Sequence, residues 1–241
     1  INIKTLDIDH QNYLRTEVDK EGSFKSSFKY QESKNWILGI SLDSDKGFRD
    51  FSGFDQQKLV FKTNNDVNNW KATTFFSLTN LNQETAGYID TYTSSLRESN
   101  LNPEAYRDAK SFRLNTIFSK AEKNYFFQLR PYLRSSKMNF IQHFLPGQPI
   151  EKNRQTSSGI NFFLDVNSFL NHKLSFGINL ELANIDLEEF QPEELTSSSA
   201  FNNAVRPQGF HYDFSVSTNL LAAFLSHEYL TKNDFKLFSN L

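Results

Sequence analysis

Residues 123–166 read KNYFFQLRPYLRSSKMNFIQHFLPGQPIEKNRQTSSGINFFLDV, two segments of alternating polarity joined by an apolar connection. In the first, Tyr125, Phe127, Leu129, Pro131 and Leu133 share one face, and Gln128, Arg130, Tyr132 and Arg134 share the other. In the second, Ile160, Phe162, Leu164 and Val166 alternate with Asn161, Phe163 and Asp165. A period of two predicts strands with one apolar and one polar face. The connection, Met138 to Lys152, carries Phe140, Ile141, Phe144, Leu145, Pro146 and Pro149, and is expected to be a long loop with a function.

The same alternation recurs outward from this hairpin. It predicts strands at 2–9, 22–31, 34–44, 56–64, 68–79, 110–120, 123–135, 156–166, 172–184, 212–228 and 233–241. Most approach the roughly 9–11 residues that a tilted strand needs to cross a bilayer, against roughly 5–6 in soluble sheets. Phe24, Phe28 and Tyr30 oppose Lys25, Ser27 and Lys29; Leu174, Phe176, Ile178, Leu180 and Leu182 oppose Lys173, Ser175, Asn179 and Glu181. The expected connections alternate in length. QESK, NNDVNN, KAEK, VNSFLNH and LTKND are short, whereas 45–55, 80–109, 136–155 and 185–211 are long. Short turns on one rim and long loops on the other are the habit of outer-membrane barrels. Tyr30, Trp36, Trp70, Tyr125 and Tyr229 fall beside the short turns, where an aromatic girdle meets the lipid–water interface.

Composition agrees. Only 38% of the 241 residues are hydrophobic and mean hydropathy is −0.57, yet 25 are Phe. A sheet with one wet face reconciles the two. No window approaches the roughly 18 apolar residues of a spanning helix, so a membrane would be crossed by strands. A net charge of −2 without a basic run gives no attraction for nucleic acid. Cysteine is absent, which excludes thiolate metal sites. His10, His143, His172, His211 and His227 are scattered, without the spacing of a zinc hydrolase, and no nucleophile elbow or phosphate loop is present. Neither catalysis nor a cofactor is expected. The acidic run Asp186, Glu188, Glu189, Glu193 and Glu194 is expected in the loop after the ninth strand, as a solvated surface rather than a metal site.

The segments DKGFRDFSGFDQQKL (45–59), SLTNLNQETAGYI (77–89), NLNPEAYRDAKSFRL (100–114), residues 129–160 and PQGFHYDFSVSTNLLAAFLSHEYL (207–230) resemble the barrel of bacterial TonB-dependent outer-membrane receptors. The resemblance implies a barrel of about twenty-two strands plugged by an N-terminal domain. It also implies uptake of a scarce ligand, of siderophore, cobalamin or oligosaccharide type, with energy relayed by TonB. Residues 1–241 are expected to be a partial all-β, antiparallel, up-and-down transmembrane barrel, about half of the strands, without plug or TonB box. Expected partners are outer-membrane lipids and lipopolysaccharide, the TonB complex through a plug, and a small ligand such as a metal chelate. Candidate ligand contacts are Arg97, Tyr106, Arg107, Tyr132, Arg134, Phe140, Gln142 and Phe144. Arginine can grip a carboxylate or phosphate bidentately, and aromatic rings can stack a sugar or aryl group. Two other readings use the same strands, a carbohydrate-binding sandwich and a passive porin-like channel.

Overall fold

The computed structural model describes residues 11–32, 35–85, 100, 102–141, 147–167, 171–196, 199–231 and 236–240. These form one sheet of eleven antiparallel strands in which every strand lies beside its neighbours in sequence. The strands are β1 (Tyr13–Val18), β2 (Phe24–Glu32), β3 (Trp36–Asp45), β4 (Phe54–Val67), β5 (Trp70–Glu84) and β6 (Tyr106–Ala121), followed by β7 (Tyr125–Ile141), β8 (Ile150–Asn167), β9 (His172–Gln191), β10 (Gly209–Leu230) and β11 (Lys236–Asn240). One short helix, α1 (Ala200–Val205), lies between β9 and β10, with Ser199 capping its N-terminus.

Among the described residues no second layer covers either face. The buried apolar side chains there are Ala105, Pro149 and Ala183, and large side chains such as Leu182 (61%) and Leu221 (72%) stay exposed. A sandwich would bury one face between packed sheets, and a single sheet does not.

The register carries the alternation of the opening hairpin across the sheet. Tyr125, Phe127, Leu129, Pro131 and Leu133 stand opposite Val166, Leu164, Phe162, Ile160 and Ser158. On the same face Leu164 meets Phe176, and Phe176 meets Leu225. Rings touch in sequence along it: Trp70–Phe127 at 5.3 Å, Phe127–Phe162 at 5.2 Å and Phe162–Phe176 at 5.9 Å. Tyr30, Trp36, Trp70, Tyr125 and Tyr229 all share this apolar face and lie at the short-turn end.

The tightest short turn is Asn68–Asn69, both at positive φ (50° and 67°). That is the mirror-image turn whose twist suits a two-residue hairpin, and asparagine tolerates it. The connection from β1 to β2 is also short although it lies on the opposite rim. There the Asp19 carboxylate accepts the backbone N–H groups of Glu21 (2.8 Å) and Ser23 (3.0 Å). These bonds, Ser23's foremost, hold its pKa below the ordinary carboxylate value.

Several expectations need correction. The expected strand at 2–9 lies outside the described residues, and the Tyr13–Val18 edge strand was not foreseen; both its faces are exposed, so it carries no burial signal. The connection Met138–Lys152 is not a loop along its length: Met138 pairs with Asn153, Phe140 with Glu151 and Ile141 with Ile150. Residues 80–84, 106–109, 150–155, 185–191 and 209–211 are likewise strand rather than loop. Here the two faces change character. Asn80, Lys110, Lys137, Arg154 and Asp186 occupy the apolar-face positions beyond Leu78, Phe112 and Leu182, while Leu81, Ala109, Met138 and Leu187 stand on the other face. The strands keep their hydrogen bonds while their apolar residues change sides. The acidic run divides accordingly: Asp186 and Glu188 take one face of β9 and Glu189 the other.

Two glycines of the polar face are covered by rings from adjacent strands. A Cβ on Gly159 would meet the Tyr132 ring and the Leu180 carbonyl, and one on Gly177 would meet the Phe224 ring. Gly159→Val is therefore expected to displace Tyr132 and to cost about 1–3 kcal/mol, as overpacking does elsewhere. Denaturant unfolding of the complete protein in detergent measures it; an unchanged midpoint would mean that the cover is not a packing constraint.

Candidate functional site

Two charged groups on the polar face hold the sequence candidates, apart from the ion pairs Lys173–Asp165 and Lys236–Glu228 near the short turns. At mid-height Tyr132 and Arg134 of β7 stand beside Gly159 and Ser157 of β8, and these beside Glu181 and Ala183 of β9. Tyr132 Oη donates to Glu181 Oε2 at 2.7 Å, passing over the bare Gly159 backbone. Arg134 donates from Nη2 to Glu181 Oε1 and from Nε to the buried Ser157 Oγ at 2.6 Å. Its guanidinium also lies 5.5 Å from the Tyr132 ring centroid. Tyr132 and Arg134 are thus brought together and oriented.

Two further arginines join them. Arg113 stands directly opposite Arg134 in the register, and Arg130 lies on the same face four residues away on β7. With Tyr132, Asn115, Asn161 and Asn179 they line a hollow of about 430 Å³. Glu181 offsets one of the three cations. Among the described residues neither Arg113 nor Arg130 has an ion-pair partner. Like charges directly opposite on a sheet repel, so the arrangement has excess capacity for an anion. Arg113 and Arg130 were visible in the sequence as polar-face residues. Their role depends on register, which sets Arg113 opposite Arg134 and which spacing within one strand does not reveal.

The second group lies at the long-loop rim, about 20 Å further along the strands at roughly 3.3 Å per residue. One polar-face row runs Gln83, Arg107, Phe140, Glu151, Glu189, Tyr212. Glu189 is the hub: His211 Nδ1 lies 2.7 Å and Arg206 Nη1 3.4 Å from its Oε1. His211 sits at a register shift in β10 and Arg206 follows α1, so the connection after β9 is tied down to the sheet through one carboxylate. Glu151, Glu189 and Gln191 are nearly buried.

The sequence candidates therefore do not form one cluster. Tyr132 and Arg134 belong to the mid-height group, and Arg107 and Phe140 to the rim row. Tyr106 shares the opposite face with Asp108 and Lys152, because a strand sends neighbouring residues to opposite sides. Arg97, Gln142, Phe144 and Leu145 lie outside the described residues. Phe140 is at the far end of its strand from Tyr125. His172 and His227, distant in sequence, approach to 2.9 Å between ring nitrogens near the short turns. No group of three or more metal-ligating side chains occurs among the described residues. No helix there is long and apolar enough to cross a membrane.

No protein-family model matches the sequence, and no curated protein matches it. The fold does have solved counterparts. Over 94% of this chain it superposes on the ferripyoverdine receptor of the outer membrane of Pseudomonas aeruginosa, TM-score 0.68 at 10% identity, covering 36% of that chain. The ferric citrate transporter FecA matches over 89% of this chain and 34% of its own, TM-score 0.63 at 10% identity. The ferric yersiniabactin uptake receptor FyuA from Yersinia pestis matches over 95% and 46%, TM-score 0.59 at 11% identity. The described residues have the fold of a partial outer-membrane-receptor barrel, and the chain spans less than half the length of these counterparts.

Arg113→Gln is expected to stabilise the complete protein by about 0.2–1 kcal/mol, since it removes a like charge facing Arg134. Arg134→Gln is expected to cost no more than about 1 kcal/mol, because its ion pair with Glu181 is half-exposed. Denaturant unfolding in detergent reads both; a loss of stability on removing Arg113 would make that residue a structural one.

Proposed function

We propose that the chain is part of the barrel of an outer-membrane TonB-dependent receptor, which takes up a scarce ligand with energy relayed by TonB through a plug domain. The observation that carries this reading is the pairing of two faces on one unlayered sheet. One is apolar with aromatic rings in chains, and the other holds three arginines, of which Arg134 alone pairs with Glu181. Barrels of this kind turn their apolar face to lipid and their polar face to the lumen. Residues 1–241 then supply about half of a barrel of roughly twenty-two strands.

In this arrangement Arg113, Arg130 and Arg134 face the lumen, where they meet an anionic ligand or carboxylates of the plug. Arg107 and Phe140 stand at the extracellular mouth. Tyr30, Trp36, Trp70, Tyr125 and Tyr229 lie at the periplasmic interface between lipid and water. A ferric chelate is the first ligand class to test, because the solved counterparts are receptors or transporters of ferripyoverdine, ferric citrate and ferric yersiniabactin. Many such chelates carry carboxylate or catecholate charge, which the arginine hollow suits. The chemistry is binding and passage rather than catalysis.

The test uses cells that express the complete protein and measures radioiron uptake from ferric citrate and ferric catecholate chelates. Uptake that a protonophore abolishes, and that Arg113→Gln with Arg130→Gln lowers about tenfold, is the expected result; a tenfold loss equals about 1.4 kcal/mol. Uptake indifferent to the protonophore would make the protein a passive channel. A complete protein found in the aqueous fraction would make it a soluble binding module.

Orientation is tested separately. Leu225→Arg, at mid-height of the apolar face, is expected to cost about 2–4 kcal/mol in lipid, while Ser226→Arg on the lumen side is nearly neutral. Equal costs at the two positions would reject a lipid-facing apolar side.

A further inference from the structure

Above the apolar band, on the same face, Lys110, Lys137 and Arg154 stand side by side on β6, β7 and β8. At about 5 Å between strands they span about 10 Å. All three are exposed, and among the described residues none has an ion-pair partner. Their acidic neighbours are few. Asp186, the register partner of Arg154, accepts a hydrogen bond from Ser215 at 2.5 Å. Asp108 lies one position further along, toward the long-loop rim. Lys152 is already paired with Glu188 at 2.7 Å.

Directly toward the short-turn side of Lys110 and Lys137 runs a groove of about 620 Å³ on the apolar face. Its walls are Ile40, Leu42, Leu59, Leu78 and Phe112, from four adjacent strands. At the cationic end Asn80 donates to Gln57 at 2.6 Å, and the buried Asn80 Oδ1 is left without a donor. The site therefore offers an apolar trough and, beyond it along the strands, a row of cations with Asn80 beside Lys110.

We propose that this is a seat for a phosphate-bearing glycolipid of the outer leaflet, its acyl chains in the groove and its phosphorylated sugar headgroup against Lys110, Lys137 and Arg154. Charge complementarity selects the occupant. Three cations over about 10 Å match a headgroup with more than one phosphate, whereas a simple phospholipid engages only part of the row. The height is right as well, since the cations lie where the apolar band gives way to polar residues on the long-loop side. This seat rests on the outer-membrane reading and adds to it a specific site and lipid class.

The experiment measures bisphosphorylated lipid A bound to the purified complete protein in detergent, by native mass spectrometry. Phosphatidylglycerol and monophosphorylated lipid A serve as competitors. Two variants are compared: Lys110→Gln, Lys137→Gln, Arg154→Gln, and a polar-face control that removes equal charge, Lys25→Gln, Lys29→Gln, Lys71→Gln. The expected result is at least tenfold weaker binding of bisphosphorylated lipid A by the first variant, unchanged binding by the control, and little competition from phosphatidylglycerol. Heat-modifiable migration on gels confirms that each variant folds. Equal lipid A binding by all three proteins, or equal competition by phosphatidylglycerol, overturns the seat and leaves only an unspecific lipid annulus. Radioiron uptake in the same strains separates the two ideas: energised uptake without site-dependent lipid binding removes the seat alone, whereas a protein that needs no detergent removes both.

Discussion

The structure depends on a backbone requirement, that every N–H and C=O of an unlayered sheet finds its partner in the strand beside it. No packed core makes up for an unpaired strand, since large apolar residues remain exposed on the sheet. In hydrocarbon this requirement is absolute, because no water is available to the backbone. It explains why the strands are long and why pairing continues where the polar and apolar faces change places. Hydrogen bonding fixes the sheet, and lipid and lumen then choose the side chains on each face.

The ladder also decides which functional groups can meet. Because neighbouring residues point to opposite sides, Tyr106 and Arg107 part company while Arg107 and Phe140, on different strands, join one row. Arg134 reaches Glu181 across an intervening strand only because that strand offers Ser157 and Gly159, side chains short enough to pass over. Glycine weakens a strand by itself. Here the Tyr132 ring covers it and its hydroxyl completes the carboxylate's coordination, so the weakness is turned into a bridge.

Much of the fold was legible in the sequence where one face is apolar. Tyr125–Leu133 and Ile160–Val166 carry their period openly, and the short turns, including Asn68–Asn69, were marked by residues that tolerate the required backbone. Legibility fails at the upper strand segments. Asn139, Lys152 and Glu188 look like loop because polar residues there take the face that is apolar lower down, although Ala183, Ile185 and Leu187 still alternate with Asn184, Asp186 and Glu188. The edge strand Tyr13–Val18 is only six residues long, too short for its alternation of Leu14, Thr16 and Val18 with Arg15 and Glu17 to stand out. As for the site, Tyr132 and Arg134 could be singled out from the polar face of one strand. The roles of Arg113, Glu181 and Glu189 could not, because they arise from cross-strand register, a relation between distant segments that no local pattern records.

The sequential order of the strands has a consequence for how such a sheet comes into being. Since each strand bonds only to the one before and the one after it, the last strand added at every stage of growth presents an edge that can template the next hairpin. Loop closure is local at each step, and its entropy rises only slowly with loop length. Assembly can therefore proceed as a zipper, hairpin upon hairpin, with no long-distance search. An error of one residue in any pairing would invert all later side chains between lipid and lumen, so the fidelity of the whole surface is set by the first few bonds of each turn.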